Sequence, residues 1–97
     1  GHTQCGAIKG ACDQVKIGNL EQMLDKIRPA VEQAEYMGDD RSSSNLEFTD
    51  KVAEKNVVLS IERILNESPI LKEMVDNEEI LVKGAMYNIK TGEVNFI

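Results

Sequence analysis

The sequence has no tryptophan and only four other aromatic residues among its 97. Any core must therefore be assembled from Leu, Ile, Val, Met and Ala, a set that suits helices packed on a sheet. Positive charge is also short. Eleven Lys and Arg face seventeen Asp and Glu, for a formal charge of -6, which repels phosphates and excludes a nucleic-acid partner. No apolar run approaches the ~20 residues of a membrane span, so no membrane partner is expected, and nothing in the chain reads as a signal peptide. The two cysteines have no regular spacing, which excludes a disulfide framework and fits a reducing, cytoplasmic setting. A chain of this length makes one small domain and buries about two thirds of its unfolded surface, so its stability margin is thin.

What is present is concentrated at the start. Gly1-His2-Thr3-Gln4-Cys5-Gly6-Ala7 sets a histidine and a cysteine three positions apart. Imidazole nitrogen and thiolate sulfur are the ligand types that Zn²⁺ prefers, at about 2.0–2.1 Å and 2.3 Å, and the three-residue step lets both reach one metal. This is half of a zinc site. His2 is the only histidine and Cys12 the only other cysteine, so the chain has little with which to complete it. Residues 6–15 read as a short helix whose positive end lies beside Cys5, which suits a thiolate ligand. Gly6 and Gly10 keep the backbone slim. That serves either the approach of a substrate or strand, or simply a tight strand-to-helix turn.

Asn19 reads as an N-cap for an amphipathic helix carrying Leu20, Met23, Leu24, Ile27, Val31, Ala34 and Met37, with the methionines as core filler. Pro29 should kink it or split it in two. Residues 38–45 read as an exposed loop without chemistry. From Leu46, the positions Val52, Ala53, Val57, Ile61, Ile64 and Leu65 predict one long helix ending near Asn66 or Glu67, with Asn56 or Ser60 placed to hydrogen-bond a neighbouring element rather than to do chemistry. Ser68-Pro69 is a helix start, and Ile70, Leu71, Met74 and Val75 should form a short buried stripe. Residues 80–87 switch to strand character, and residues 90–93 form a turn with Gly92 at positive φ before residues 94–97 pair back. Helices followed by one hairpin cannot make a parallel sheet unaided, so Ile80 and Val82 are expected to need partner strands from other sequence.

Three segments together resemble a known family. Gly1 to Ala7 is similar to the His-x-x-Cys-Gly-Ala segment of β-class carbonic anhydrases, which stands at the end of a core strand. Asn56-Val57 with Ser60-Ile61-Glu62, then Ser68-Pro69-Ile70-Leu71, resembles their penultimate helical region. Gly84 to Val94 resembles their closing strand and turn. The likeness runs in order from Gly1 to Ile97 and is least in residues 38–45. It implies an α/β fold, a mostly parallel sheet flanked by helices, assembled as a homodimer or higher oligomer. Residues 1–97 would be a single C-terminal fragment of such a domain, mainly helical with a C-terminal β-hairpin. The family's Cys-x-Asp-x-Arg element, which lies upstream of the His-x-x-Cys segment, is absent here. Asp39-Asp40-Arg41 spells Asp-x-Arg, but Met37 stands where the cysteine belongs and the order is wrong, so we read a polar turn.

The resemblance implies that His2 and Cys5 bind one Zn²⁺ per subunit, with a third ligand from the absent element. The parent enzyme would hydrate CO₂ reversibly to bicarbonate by lowering the pKa of water to about 7, and the fragment alone would be inactive. Gly6 would line the substrate pocket through its backbone, and Cys12 matches no ligand. No residue of these 97 is expected to be catalytic in its own right. The alternatives are a non-catalytic homologue and a helical interaction or assembly domain in which His2 and Cys5 never meet metal.

Overall fold

A computed structural model describes all of residues 1–97. Five helices precede a hairpin: α1 (Gly6–Cys12), α2 (Leu20–Asp25), α3 (Arg28–Gln33), α4 (Leu46–Glu67), α5 (Pro69–Asp76), β1 (Ala85–Tyr87) and β2 (Val94–Phe96). Helices hold 51% of the chain. The chain is thus mainly helical with a C-terminal strand pair, as the sequence predicts.

The long helix α4 organises the rest, with α1, α3, α5 and β1 all packed on it. It begins at Asn45, whose side-chain oxygen accepts the Phe48 N–H at 3.1 Å, satisfying one of the donors that a helix start leaves free. The Asn45 amide nitrogen donates to the Tyr36 hydroxyl at 2.6 Å and to the Asp40 carbonyl at 2.9 Å, so the cap also pins the preceding loop. Phe48 and Val52 are fully buried on α4 and meet Ile8, Cys12, Ala30, Ala34, Ala53 and Met86 in one cluster. At the other end Ser68 accepts from Leu71 N–H at 3.2 Å and Pro69 opens α5. Both boundaries of α4 fall where the sequence puts them, while Ser60 donates to the Asn56 carbonyl one turn back in α4 at 2.7 Å rather than to a neighbouring element.

Pro29 does split the second helical stretch into α2 and α3. The stretch ends earlier than its apolar spacing suggests, however. Ala34 is already extended, with ψ of 123°, because Arg41 donates to the carbonyls of Val31 and Ala34 at 2.6 and 3.4 Å and so terminates α3 from outside. The guanidinium also lies 4.5 Å from the centre of the Phe48 ring. Met37 is consequently out in solvent and Met23 is 44% exposed, so the expectation that these methionines fill the core is not met. Helix α1 is likewise shorter than residues 6–15, since Gln14 turns left-handed at φ +56°.

The sheet differs from expectation in an informative way. Strand β1 pairs antiparallel with β2, Met86 opposite Asn95. On its other edge it runs parallel to Gly1–Thr3, with His2 bridged to Tyr87. Tyr87 N–H donates to Gly1 C=O and Thr3 N–H to Tyr87 C=O, both at 2.9 Å. The chain therefore makes a parallel pairing by itself, across 84 residues of sequence. Residues 80–84 are not strand, contrary to the prediction, although burial still alternates: Ile80, Val82, Gly84 and Met86 are the more buried, Leu81 and Lys83 exposed. The pattern sets the facing of each residue, but the first bond to the neighbouring strand is made at Gly84, whose carbonyl accepts the Ile97 N–H at 2.9 Å, and residues 80–83 have none. The turn is as predicted, with Gly92 at φ +78° and Asn88 accepting from the N–H groups of Lys90 and Thr91 at 2.9 and 3.2 Å.

The α5 stripe is corrected too. No residue of α5 is buried and Ile70 is 72% exposed, because α5 touches only α4 and nothing covers its apolar face. The radius of gyration, 14.7 Å, exceeds the roughly 13 Å of a compact domain of this length. Only 11 of the 97 residues are buried, so the thin stability margin expected from length is thinner still. No helix is long and apolar enough to cross a membrane.

Candidate metal centre

The His-x-x-Cys segment lies where the parallel strand ends and α1 begins. Gly1–Thr3 is held along β1, and the Thr3 hydroxyl additionally accepts the Ile89 N–H at 3.1 Å. His2 is exposed at the sheet edge, and its Nδ1 lies 2.8 Å from the carbonyl oxygen of Thr3. A carbonyl can only accept, so Nδ1 is the donor of this contact, and in the neutral ring that tautomer leaves the lone pair on Nε2. Metal-ligating histidines use this same arrangement to fix tautomer and ring orientation.

After Thr3 the chain turns at Gln4, whose φ of +55° lies in the left-handed region. Its N–H is taken by Asp50 Oδ1 at 3.0 Å, reaching across from α4. Cys5 follows as the extended N-cap residue of α1, φ -66° and ψ 125°, and its side chain makes no cap hydrogen bond. The thiol is free and half-buried against the core. Gly6 opens α1, and a Cβ placed there would meet nothing within 4 Å, whereas one on Gly10 would come within 3.3 Å of Leu24 Cδ1. Gly10 therefore serves close helix packing, while the space beside Gly6 is open.

The other candidates separate cleanly. Cys12 is buried, and its thiol is pushed up from the ordinary range first by desolvation and then by the charge of neighbouring Asp13, so it is a core residue. Asp40 accepts from the Ser42 hydroxyl at 2.6 Å and the Ser42 N–H at 3.0 Å, which holds its carboxyl below the usual range. With Arg41 committed to α3 and Phe48, Asp39-Asp40-Arg41 is the polar turn that the sequence suggests.

His2 and Cys5 suit zinc by donor type, but nowhere do three His, Cys, Asp or Glu side chains gather as a metal site. The pair is two ligands short of a tetrahedral shell and one short of the three protein ligands of a catalytic zinc.

The family model described as carbonic anhydrase matches residues 1–94. The chain belongs to the β-class carbonic anhydrase family. Comparison with curated proteins and with solved structures found no match. Carbonic anhydrases of this family are zinc lyases, and the match spans the His-x-x-Cys segment, α4, α5, β1 and the turn up to the first residue of β2. What the sequence does not announce is Asp50. It is one of several acidic residues on α4, and only the fold brings its carboxylate to Gln4. Thr3 is similarly silent, since its bond to Ile89 needs the parallel pairing.

Proposed function

We propose that His2 through Nε2 and Cys5 through Sγ supply two of the zinc ligands of a carbonic anhydrase that interconverts CO₂ and bicarbonate. The observation that carries this reading is the His2 ring, tied by Nδ1 to the Thr3 carbonyl with Nε2 free, three residues from a free thiol. Family membership supports it. The third protein ligand is a cysteine of a Cys-x-Asp-x-Arg element outside these 97 residues, and the 97 residues alone are a C-terminal fragment without activity. Zinc, when bound, supplies the Lewis acidity that brings the pKa of water down to about 7. The chain's own residues do the rest of the local work: Thr3 fixes the imidazole, the β1 pairing holds the strand, and Gly6 leaves open room beside Cys5 for a small uncharged substrate.

The protein works as a homodimer or larger oligomer. Support comes from Ile70, Leu81 and Phe96, which are 72–78% exposed on α5 and the hairpin segment, more apolar surface than a small monomer usually leaves uncovered. Two free thiols suit a cytoplasmic location. A non-catalytic carbonic-anhydrase-like subunit is the second reading, favoured by the absence of a third donor near the pair.

The test is stopped-flow CO₂ hydration by the protein carrying both this segment and the Cys-x-Asp-x-Arg element. His2→Ala and Cys5→Ser should each abolish turnover with the fold retained, and Cys12→Ser should leave it near normal. Near-normal rates in either ligand variant would sink the mechanism, and failure of the parent protein to hydrate CO₂ would favour the non-catalytic reading. The 97-residue chain alone should retain well under one zinc per chain after dialysis.

A further inference from the structure

The turn between His2 and Cys5 is made by a residue type that disfavours it. Gln4 sits at φ +55°, where a Cβ crowds the backbone and where glycine, Asn or Asp is the usual choice. Something outside the segment must hold it there. The parallel ladder cannot, because its last bond is from Thr3 N–H to Tyr87 C=O. The next N–H along the chain, that of Gln4, goes to Asp50 Oδ1 at 3.0 Å, 46 residues away and partly buried.

Asp50 is well placed to impose a position. It stands in the second turn of α4, between Thr49 at 1% exposure and Val52 at 0%, so its backbone is anchored by buried neighbours on its own helix. A carboxylate accepting a backbone N–H makes a charge-assisted bond, stronger than one between neutral groups. The strand side of the same turn is fixed independently, through Thr3 and the hairpin. His2 is therefore set by the sheet, Cys5 begins α1, and the single link between them is anchored to α4.

We propose that Asp50 is the positioning residue of the metal pair: by accepting the Gln4 N–H it holds the left-handed turn that sets His2 and Cys5 relative to one another. This rests on the reading of those two residues as zinc ligands. Asp50 does not itself join them as a third donor, since His2, Cys5 and Asp50 form no metal-binding group. It acts through the Gln4 amide.

The experiment compares wild type, Asp50→Ala, Asp50→Asn and Cys5→Ser of the 97-residue chain. Hydrogen exchange at the Gln4 and Val52 amides is read by NMR without metal, and Cd²⁺ is titrated with the thiolate-to-metal absorption as signal. In Asp50→Ala, exchange at Gln4 should accelerate about tenfold more than at Val52, and Cd²⁺ affinity should fall about tenfold, the usual scale for losing an outer support of a metal ligand. Asp50→Asn keeps an oxygen acceptor and should stay close to wild type in both, a rescue that general destabilisation would not give. Should Asp50→Ala fail to fold, Asp50→Leu, with the same branching of its heavy atoms and without an acceptor, takes its place. Wild-type Gln4 protection in the acceptor-less variant, or wild-type Cd²⁺ affinity there while Cys5→Ser loses binding, would overturn the role of Asp50 and leave the metal pair standing. Equal Cd²⁺ binding by Cys5→Ser and wild type would instead remove the metal pair, and the positioning role with it.

Discussion

Gly84→Ala is a sharp test of how the sheet sits on α4, because two principles predict opposite signs. Gly84 is buried and its φ lies outside the left-handed region. On backbone grounds alone, alanine there should stabilise the chain by about 0.4–1 kcal/mol through the unfolded state. The space forbids it. A Cβ on Gly84 would stand 2.6 Å from Val57 Cγ1 and 2.8 Å from Ile61 Cδ1. The Ile61 methyl is the end of a flexible chain and can swing away. Val57 Cγ1 cannot, since a β-branched side chain in a helix has essentially one χ1 rotamer. The strand must therefore lift off α4, and overpacking of this kind costs about 1–3 kcal/mol. Steric cost wins, and the net destabilisation should be about 1–2 kcal/mol, with Tm falling about 4–8 °C per kcal/mol. Urea unfolding followed by far-ultraviolet circular dichroism measures it, as the signal is dominated by helix. Val57→Ala removes the offending methyl and should alone cost about 1–2 kcal/mol. Combined, the two should cost at least about 1 kcal/mol less than their sum, the signature of residues in direct contact. A stable Gly84→Ala variant, or strict additivity, would refute the close packing of Gly84 on α4.

Two further outcomes follow from the ionisable groups. Asp13 accepts from the Ser43 hydroxyl and N–H, which holds its carboxyl below the usual range. A depressed carboxylate stabilises the fold above its unfolded pKa of about 3.9 and ceases to do so as pH falls through its lower folded value, so Ser43→Ala should be less stable than wild type at pH 7 and lose that difference in acid, as paired urea midpoints would reveal. The thiols should separate in a labelling assay with a chromogenic disulfide at neutral pH: Cys5 reacts in the native chain, while Cys12, buried and with its thiol pushed up by desolvation, reacts only on unfolding. Two equally fast thiols would mean that the α1 packing is wrong.

The parts of the fold that were legible in the sequence are those whose cause is local. Not every cap is legible: Asn45, which caps α4, lies in a segment that reads as plain loop, and Asn19, which reads as a cap, makes no cap hydrogen bond. Ser68, however, caps α5, Pro29 breaks the helix it interrupts and Gly92 takes the positive φ its turn requires. Each of these depends on a residue's own backbone preference or on a neighbour three positions away. The misreadings have distant causes. Helix α3 stops at Gln33 because Arg41 captures its last carbonyls, and no periodicity in residues 20–37 contains that information. Ile80 to Lys83 alternates like a strand but lacks ladder partners, and the stripe on α5 is apolar without being covered. In both cases the pattern records what a residue would face, while burial depends on whether a partner is there to meet it.

The site divides the same way. The donor types were legible because His2 and Cys5 lie in one short segment, and a three-residue spacing is a local fact. Their support was not, because it comes from residues far away in the sequence. The parallel pairing of Gly1–Thr3 with β1 needs Tyr87, the Thr3 hydroxyl needs Ile89 and the turn at Gln4 needs Asp50. The expectation that no parallel sheet could form unaided counted only the helices and the hairpin, although the resemblance put Gly1–Ala7 at the end of a strand. Gly1–Thr3 is also a strand, and its being a strand is what brings the segment against α4 where Asp50 can reach Gln4. The three residues that carry His2 therefore serve two purposes at once, and any substitution that loosens the β1 pairing, Gly84→Ala among them, should disturb the donor pair without touching either donor.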